Sequence, residues 1–204
     1  MLLKPRKTPD LTQVVKGFEM ILDGLFDNWR SIEAIRKTPE RAAKALLELL
    51  SGYWSNSDPR PFKEYVSFSS ENIIAIAGIR FVSICEHHLL PFFGYIHVGY
   101  IPQGEVIGLS KIPRIVEKCS RRLQIQERLT EDVAREVMKS IGSKDIIVVS
   151  EAIHSCECFR GIRECTPLIV FSCHGLFRED SNLLQKFLSM IEPYRLAKRT
   201  LTQL

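Results

Sequence analysis

The sequence predicts an α+β protein built on a mainly antiparallel sheet, and three observations lead there. Apolar residues recur at helical spacing near the N-terminus, at Leu11, Val14, Val15, Phe18, Ile21, Leu22 and Leu25. From about residue 64 the texture changes to segments rich in β-branched and aromatic residues, which read as strands. Only two helical patterns interrupt those strands, too few for the regular strand–helix alternation of a parallel sheet.

Residues 11–26 read as an amphipathic helix. Thr38 followed by Pro39 is an N-cap and first-turn signal. The helix it opens carries Ala42, Ala43, Leu46, Leu47 and Leu50 and ends near Gly52. Residues 53–63, "YWSNSDPRPFK", read as a Pro- and Ser-rich linker. The stretches "EYVSFSS", "NIIAIAGIRFVSI", "YIHVGYIP" and "DIIVVSEAIHS" read as strands. One inserted helix starts at Ser110, with Ile112, Ile115, Val116 and Cys119 on one face. The other starts at Thr130, with Glu131 and Asp132 in its first turn, where the helix dipole favours acids. "LIVFS" is a further strand, and Ser181 caps a last helix that runs to Pro193. Neither a repeat nor a Walker- or Rossmann-type glycine loop is present.

A chain of 204 residues can build one domain with a substantial core. Its 45% hydrophobic and 25% charged residues are ordinary for a globular protein. The net charge of +4 is too mild to indicate nucleic acid and suits an anionic small molecule. The N-terminal "MLLKPRKTPD" has charges and prolines where an export signal needs an apolar core. No uncharged run approaches bilayer length. The expected location is therefore cytoplasmic, without a membrane partner. Six cysteines are present, and in that setting reduced thiols with metal or catalytic roles are expected ahead of disulfides.

Two segments concentrate the chemistry. "CEHH" places Cys85 and His88 at a spacing that lets both reach one ion from a single turn. "HSCEC" alternates His154, Cys156 and Cys158, which share one face if the segment is extended. Cys85, His88 and one of Cys156 or Cys158 would leave a fourth zinc position open, the catalytic pattern. His87 and His154 would stand beside it as imidazoles able to move protons near neutral pH. Spacing alone leaves open which histidine of the pair binds. "GLSKIPR" sets Ser110, Lys111 and Arg114 at a helix start, a natural phosphate site. Gln126 and Glu127 follow in "RRLQIQERLT", where a carboxylate could accept from a guanine-like N–H edge.

These segments together resemble the GTP cyclohydrolase I family. "TPERAAKALLELLSGY", "CEHHLLPFFGYIHVGYIP", "VIGLSKIPRIVEKCSRRLQIQERLT", "HSCECFRGIR" and "GLFRED" carry the resemblance, in the family's order, from about residue 11 to residue 191. The resemblance implies a tunnelling fold, an antiparallel sheet backed by helices, over residues 61–204, preceded by an N-terminal helical segment over 1–60. It implies zinc-dependent conversion of GTP to 7,8-dihydroneopterin triphosphate and formate, with attack at C8, as the first step towards pterins and tetrahydrofolate. It implies a homodecamer of two pentameric rings with sites between subunits. It gives Cys85, His88 and Cys156 as zinc ligands and His87 and His154 as proton-transfer residues. Glu127, with Gln126 nearby, would hold the guanine edge. Ser110, Lys111, Arg114 and Arg160, with Arg41 and Lys44, would hold the triphosphate.

The chain departs from the family in its apolar strand from Leu168 to Phe171, in Pro167 and Cys173, and in the extra thiol at Cys158. A rival reading is a catalytically silent relative that binds a pterin or nucleotide, or a regulatory subunit. Another is a structural zinc protein, which would close its site with both Cys156 and Cys158.

Overall fold

The computed structural model describes residues 3–55, 63–65 and 73–199. The N-terminal periodicity forms α1 (Leu11–Leu25), whose start is closed by Asp10: its carboxylate accepts from the Gln13 N–H at 3.0 Å. A 3-10 turn (Trp29–Ser31) and the short α2 (Glu33–Arg36) lead to α3 (Thr38–Leu49), which packs on α1. Pro39 sits in the first turn of α3 as expected, but Lys37 occupies the cap position, so Thr38 is already helical. A second 3-10 turn, Ser51–Tyr53, follows, and its Gly52 N–H donates to the Arg121 carbonyl at 2.9 Å.

The expected linker and the "EYVSFSS" strand lie mostly outside the described residues; of the strand, Glu64 and Tyr65 are described, as part of β1 (Lys63–Tyr65). The main body then runs β2 (Ile74–Cys85), β3 (Pro91–Tyr100), β4 (Glu105–Ile107), α4 (Lys111–Ser120), β5 (Leu123–Gln124), α5 (Gln126–Ile141) and β6 (Ile146–His154). A single helical turn, α6 (Ser155–Cys158), precedes β7 (Leu168–His174), α7 (Leu176–Glu179) and α8 (Ser181–Arg199). Five strands form one sheet in the order β5-β2-β3-β6-β7. All its pairings are antiparallel except the short parallel contact of β5 with β2. β1 and β4 pair separately. An antiparallel β2-β3-β6-β7 sheet with α4 and α5 inserted midway is the α+β, tunnelling-fold arrangement expected from the sequence.

The sheet is covered on both faces, which explains the unbroken apolar run "IIVV" in β6. Ile146, Val148 and Ala152 point toward Ile112, Ile115 and Val116 of α4 and Leu129, Val133 and Val137 of α5. Ile147 and Val149 point the other way, onto Phe187 and Ile191 of α8. A bulge between Ile76 and Ile79 brings β2 to α8. Its Gly78 is left-handed (φ +75°), and a Cβ there would stand 1.9 Å from the Tyr194 ring, so only glycine fits.

Two further helix boundaries differ from expectation. α5 begins at Gln126, not Thr130, which is fully buried within the helix. The Thr130 hydroxyl donates to its own helix's Gln126 carbonyl at 2.7 Å, the back-bonding that competes with a capping role. The acid in the first turn is therefore Glu127. α8 continues through Pro193, and Asp180 rather than Ser181 supplies the first-turn acceptor, taking the Asn182 N–H at 2.8 Å. Among the described residues no helix is long and apolar enough to cross a membrane.

Candidate active site

β2 ends at Cys85, and the chain reverses at once into β3. The Cys85 N–H donates to the Leu90 carbonyl at 2.8 Å, and the Leu89 N–H donates back to the Cys85 carbonyl at 2.9 Å. This tight turn buries Cys85 and leaves His87 and His88 exposed. Two strands across, the register sets His154 opposite Phe92. There β6 breaks into α6, pinned by the Ser155 hydroxyl, which donates to the Pro91 carbonyl at 2.5 Å. The corner aims Cys156 at Cys85, and their sulfurs lie 4.0 Å apart across a sequence separation of 71.

The donor atoms of Cys85, His88 and Cys156 all lie within 4.8 Å of one another, a group able to hold a metal ion. His88 Nδ1 is 3.6 Å from the Cys85 sulfur. His87 Nδ1 is 4.0 Å from the same sulfur but stands outside the converging group. Burial, and then the facing Cys85, push the Cys156 thiol above its ordinary range. A bound cation reverses that, because it stabilises thiolates.

The expectation that His154, Cys156 and Cys158 share the face of an extended segment is overturned. α6 is a helical turn, on which residues two apart point about 200° away from each other. Cys158 is buried on the far side and bonded to Cys165 as a disulfide. These two cysteines are thus not the free thiols expected, and a closed site using both Cys156 and Cys158 is excluded. Of the other cysteines, Cys119 is fully buried and its pKa is pushed to about 12 by burial, so it is inert core. Cys173 is also shifted upward by burial.

His154 is fixed from two sides. Its ring stacks on Phe92 at 4.6 Å with planes 2° apart, and its Nε2 lies 2.9 Å from the side-chain oxygen of Gln126. Gln126 is fully buried, and its amide nitrogen donates to the Ser150 carbonyl at 3.2 Å, the Ser150 hydroxyl at 3.0 Å and the Leu168 carbonyl at 3.0 Å. Gln126 therefore meets His154 rather than presenting a free amide to a substrate. Burial lowers the pKa of His154, while Glu157 and Glu127 act in the opposite direction. Glu127 stands exposed at the start of α5, close enough for that field to be felt.

Glu86, the remaining member of the turn, pairs with Arg128 of α5. The Arg128 Nε donates to the Gln124 oxygen at 2.8 Å, and the Gln124 nitrogen donates to Asp132 at 3.0 Å. This chain ties the turn to the helix that carries Gln126 and Glu127.

The basic residues are more scattered. Arg41 and Lys44 are exposed on α3. Ser110 occupies the cap position of α4 in helical conformation without a side-chain capping bond, so its hydroxyl is not spent there. Arg114 lines a hollow of about 580 Å³ with Trp54, Lys118 and Arg121. Neither these residues nor Lys111 hydrogen-bond or ion-pair with the Cys–His–Cys group. Arg160 is nearer: its charge reaches Cys156 and favours the thiolate. A cavity of about 700 Å³ beneath the end of α8 contains none of the metal-binding residues.

Sequence reading missed Phe92, Arg128 and Cys165. Phe92 and Arg128 act through contacts with residues far along the chain, His154 and Glu86, and Cys165 through a tight reversal that spacing does not reveal.

A family model for GTP cyclohydrolase I matches residues 14–192. The chain is 44% identical over 189 residues to the GTP cyclohydrolase 1 of Hyperthermus butylicus, covering 93% of this chain and 95% of that one. It is 48% identical over 167 residues to that of Caldivirga maquilingensis, covering 81% and 85%. The Methylococcus capsulatus enzyme is 44% identical over 162 residues, covering 79% and 88%. A match of that length, running through α3, the turn at Cys85 and the corner at Cys156 alike, means that the chain belongs to the GTP cyclohydrolase I family.

Proposed function

We propose that the family's reaction, hydrolytic opening of GTP at C8 to give 7,8-dihydroneopterin triphosphate and formate, depends in this chain on zinc held by Cys85, His88 and Cys156. One observation carries the assignment. Zinc bonds of about 2.3 Å to sulfur and 2.0 Å to nitrogen, at tetrahedral angles, separate two sulfurs by about 3.8 Å and sulfur from nitrogen by about 3.5 Å. The same atoms stand 4.0 and 3.6 Å apart here. A two-sulfur, one-nitrogen set also suits zinc chemically. Bound there, zinc would supply a Lewis acid that brings the pKa of a water in its fourth position toward neutrality.

The chain's own groups do the rest. His154 has Nε2 engaged by Gln126, which leaves Nδ1 as its proton acceptor among the described residues. Exposed His87 is the second proton carrier. Glu127, at the start of α5, takes the guanine N–H edge. Arg160, Ser110, Lys111, Arg114, Arg41 and Lys44 neutralise the triphosphate. The spread of these cations over α3, α4 and the α6 corner supports a site completed by a neighbouring subunit, in a decamer of two pentameric rings. The partly exposed Leu168, Ile169 and Phe171 on the edge strand β7 are the kind of surface such a ring covers. The cytoplasm is the compartment proposed.

The deciding experiment incubates purified, zinc-loaded protein with GTP and follows formate release and pterin fluorescence, with and without chelator. Formate and fluorescence that disappear on chelation support the reading. No formate from zinc-loaded protein sinks it in favour of a silent, nucleotide-binding relative.

A further inference from the structure

The proposed chemistry uses two of the six cysteines, and two more are free thiols, Cys119 buried and Cys173 half-buried. The remaining pair, Cys158 and Cys165, closes a loop with a sequence separation of 7 beside the metal-binding corner. That loop carries Arg160.

Little else holds the loop in place. Residues 159–167 form no helix or strand, and all of them are exposed. Phe159 and Ile162 are 77% and 74% exposed, so no apolar packing anchors them. Among the described residues its internal backbone bond is Arg163 N–H to the Arg160 carbonyl at 3.4 Å, and Phe159 N–H reaches back to Ser155 at 3.0 Å. The reversal needs two left-handed residues, Gly161 at φ +66° and Arg163 at φ +60°. They bring the Cys165 Cα to 4.6 Å from that of Cys158.

We propose that the Cys158–Cys165 disulfide is a positioning tie that holds Arg160 ready for the triphosphate of GTP. The proposal rests on the reading of Arg160 given above. Cys158 is buried in α6, two residues from Cys156, so the bond references the loop to the same rigid corner that holds the metal-binding thiol. A cross-linked loop has fewer conformations to lose when substrate binds, and ordering it beforehand gains affinity. The bond forms by exchange with a low-molecular-weight disulfide. One cysteine thiolate attacks it and releases one small thiol, and the second cysteine thiolate displaces the other. The two cysteines lose two protons and two electrons, and the small disulfide is reduced to two thiols.

The test begins with formate release by wild-type protein, since failure there overturns the underlying reading and with it the tie's role in holding Arg160 for GTP. Protein isolated without reductant, unfolded and alkylated should show four free thiols, and six would overturn the tie directly. In Cys165→Ser and in the Cys158→Ser/Cys165→Ser double variant, KM for GTP should rise about tenfold with kcat nearly unchanged, the signature of lost substrate binding. Zinc content should stay at the wild-type level. In an Arg160→Ala background the Cys165→Ser change should add nothing, which a merely stabilising disulfide would not predict. An unchanged KM, or a tenfold loss that persists without Arg160, overturns the proposal. Should the serine variants fold poorly, wild-type protein treated with a phosphine reductant at fixed zinc must show the same KM rise.

Discussion

The side-chain oxygen of Gln126 faces Nε2 of His154 at 2.9 Å, and the direction of that bond is determined by what surrounds the glutamine. Its amide nitrogen is committed to the carbonyls of Ser150 and Leu168, which can only accept. The oxygen must therefore be the end that meets the imidazole, so Nε2 carries a proton and Nδ1 a lone pair. A buried amide on α5 thus sets the tautomer of a histidine at the end of β6.

Replacing Gln126 by Ala should lower kcat by roughly tenfold or more, part of what a correctly placed acid–base group contributes. Zinc content should remain unchanged, because no metal-binding donor is touched. The variant should also lose about 1–3 kcal/mol of stability, since it removes a fully buried amide and its bonds to the buried Ser150. Steady-state kinetics, metal analysis and denaturant unfolding separate the three effects. Full turnover in a folded variant would show that His154 needs no orienting partner.

The metal group makes a sharper demand. Cys156→Ala and His88→Ala should abolish stoichiometric zinc binding and turnover together, whereas His154→Ala should keep zinc and lose turnover. Cys119→Ala should do neither, because its buried thiol, with a pKa near 12, takes no part. Zinc lost from the His154 variant would mean that the ligand set is misassigned.

Much of this was legible in the sequence because the signals were local. The C-x-x-H turn, the helical periodicity of α1 and the β-branched runs each follow from neighbours within a few residues. Two of the failures come from partners distant in sequence, and the third from a tight local reversal. Thr130 looks like a cap until Ser150 is found against it, 2.6 Å away on β6. "HSCEC" alternates like a strand, but Ser155 is drawn to Pro91 and turns the chain into a helical corner. Cys158 reads as a spare thiol beside a metal until Gly161 and Arg163 fold Cys165 back onto it. Tertiary partners override local pattern where the site is assembled.

The pair of Glu86 and Arg128 is half-buried, with side chains 26% and 31% exposed, and it links the metal-binding turn to α5. Arg128→Met should cost about 1 kcal/mol, more than a free surface pair, because Gln124 loses its partner as well. Zinc affinity should fall by about tenfold, the scale seen when groups supporting a metal site are removed. Competition with a chelator of known affinity measures it. An unchanged zinc affinity would reduce the pair to a local stabiliser.

His97 gives the stability a pH dependence that can be assigned. It is 1% exposed on β3, and its Nδ1 accepts the Gly78 N–H at 3.3 Å from the β2 bulge. Tyr194 packs edge-on at 5.8 Å, and Arg195, paired with Glu151, adds positive charge nearby. Burial first, and Arg195 second, lower its pKa from 6.5 to about 4. The unfolded chain therefore takes up a proton below about pH 6.5 that the folded chain refuses until about pH 4. Stability from this group is complete above that window and is lost as the pH falls through it, by about 3 kcal/mol at most. His97→Asn keeps an acceptor for Gly78 and removes the titration. Urea unfolding of both proteins at one fixed protein concentration, between about pH 7 and pH 4, should show the wild type falling more steeply than the variant. Parallel profiles would place the acid sensitivity in the carboxylates instead.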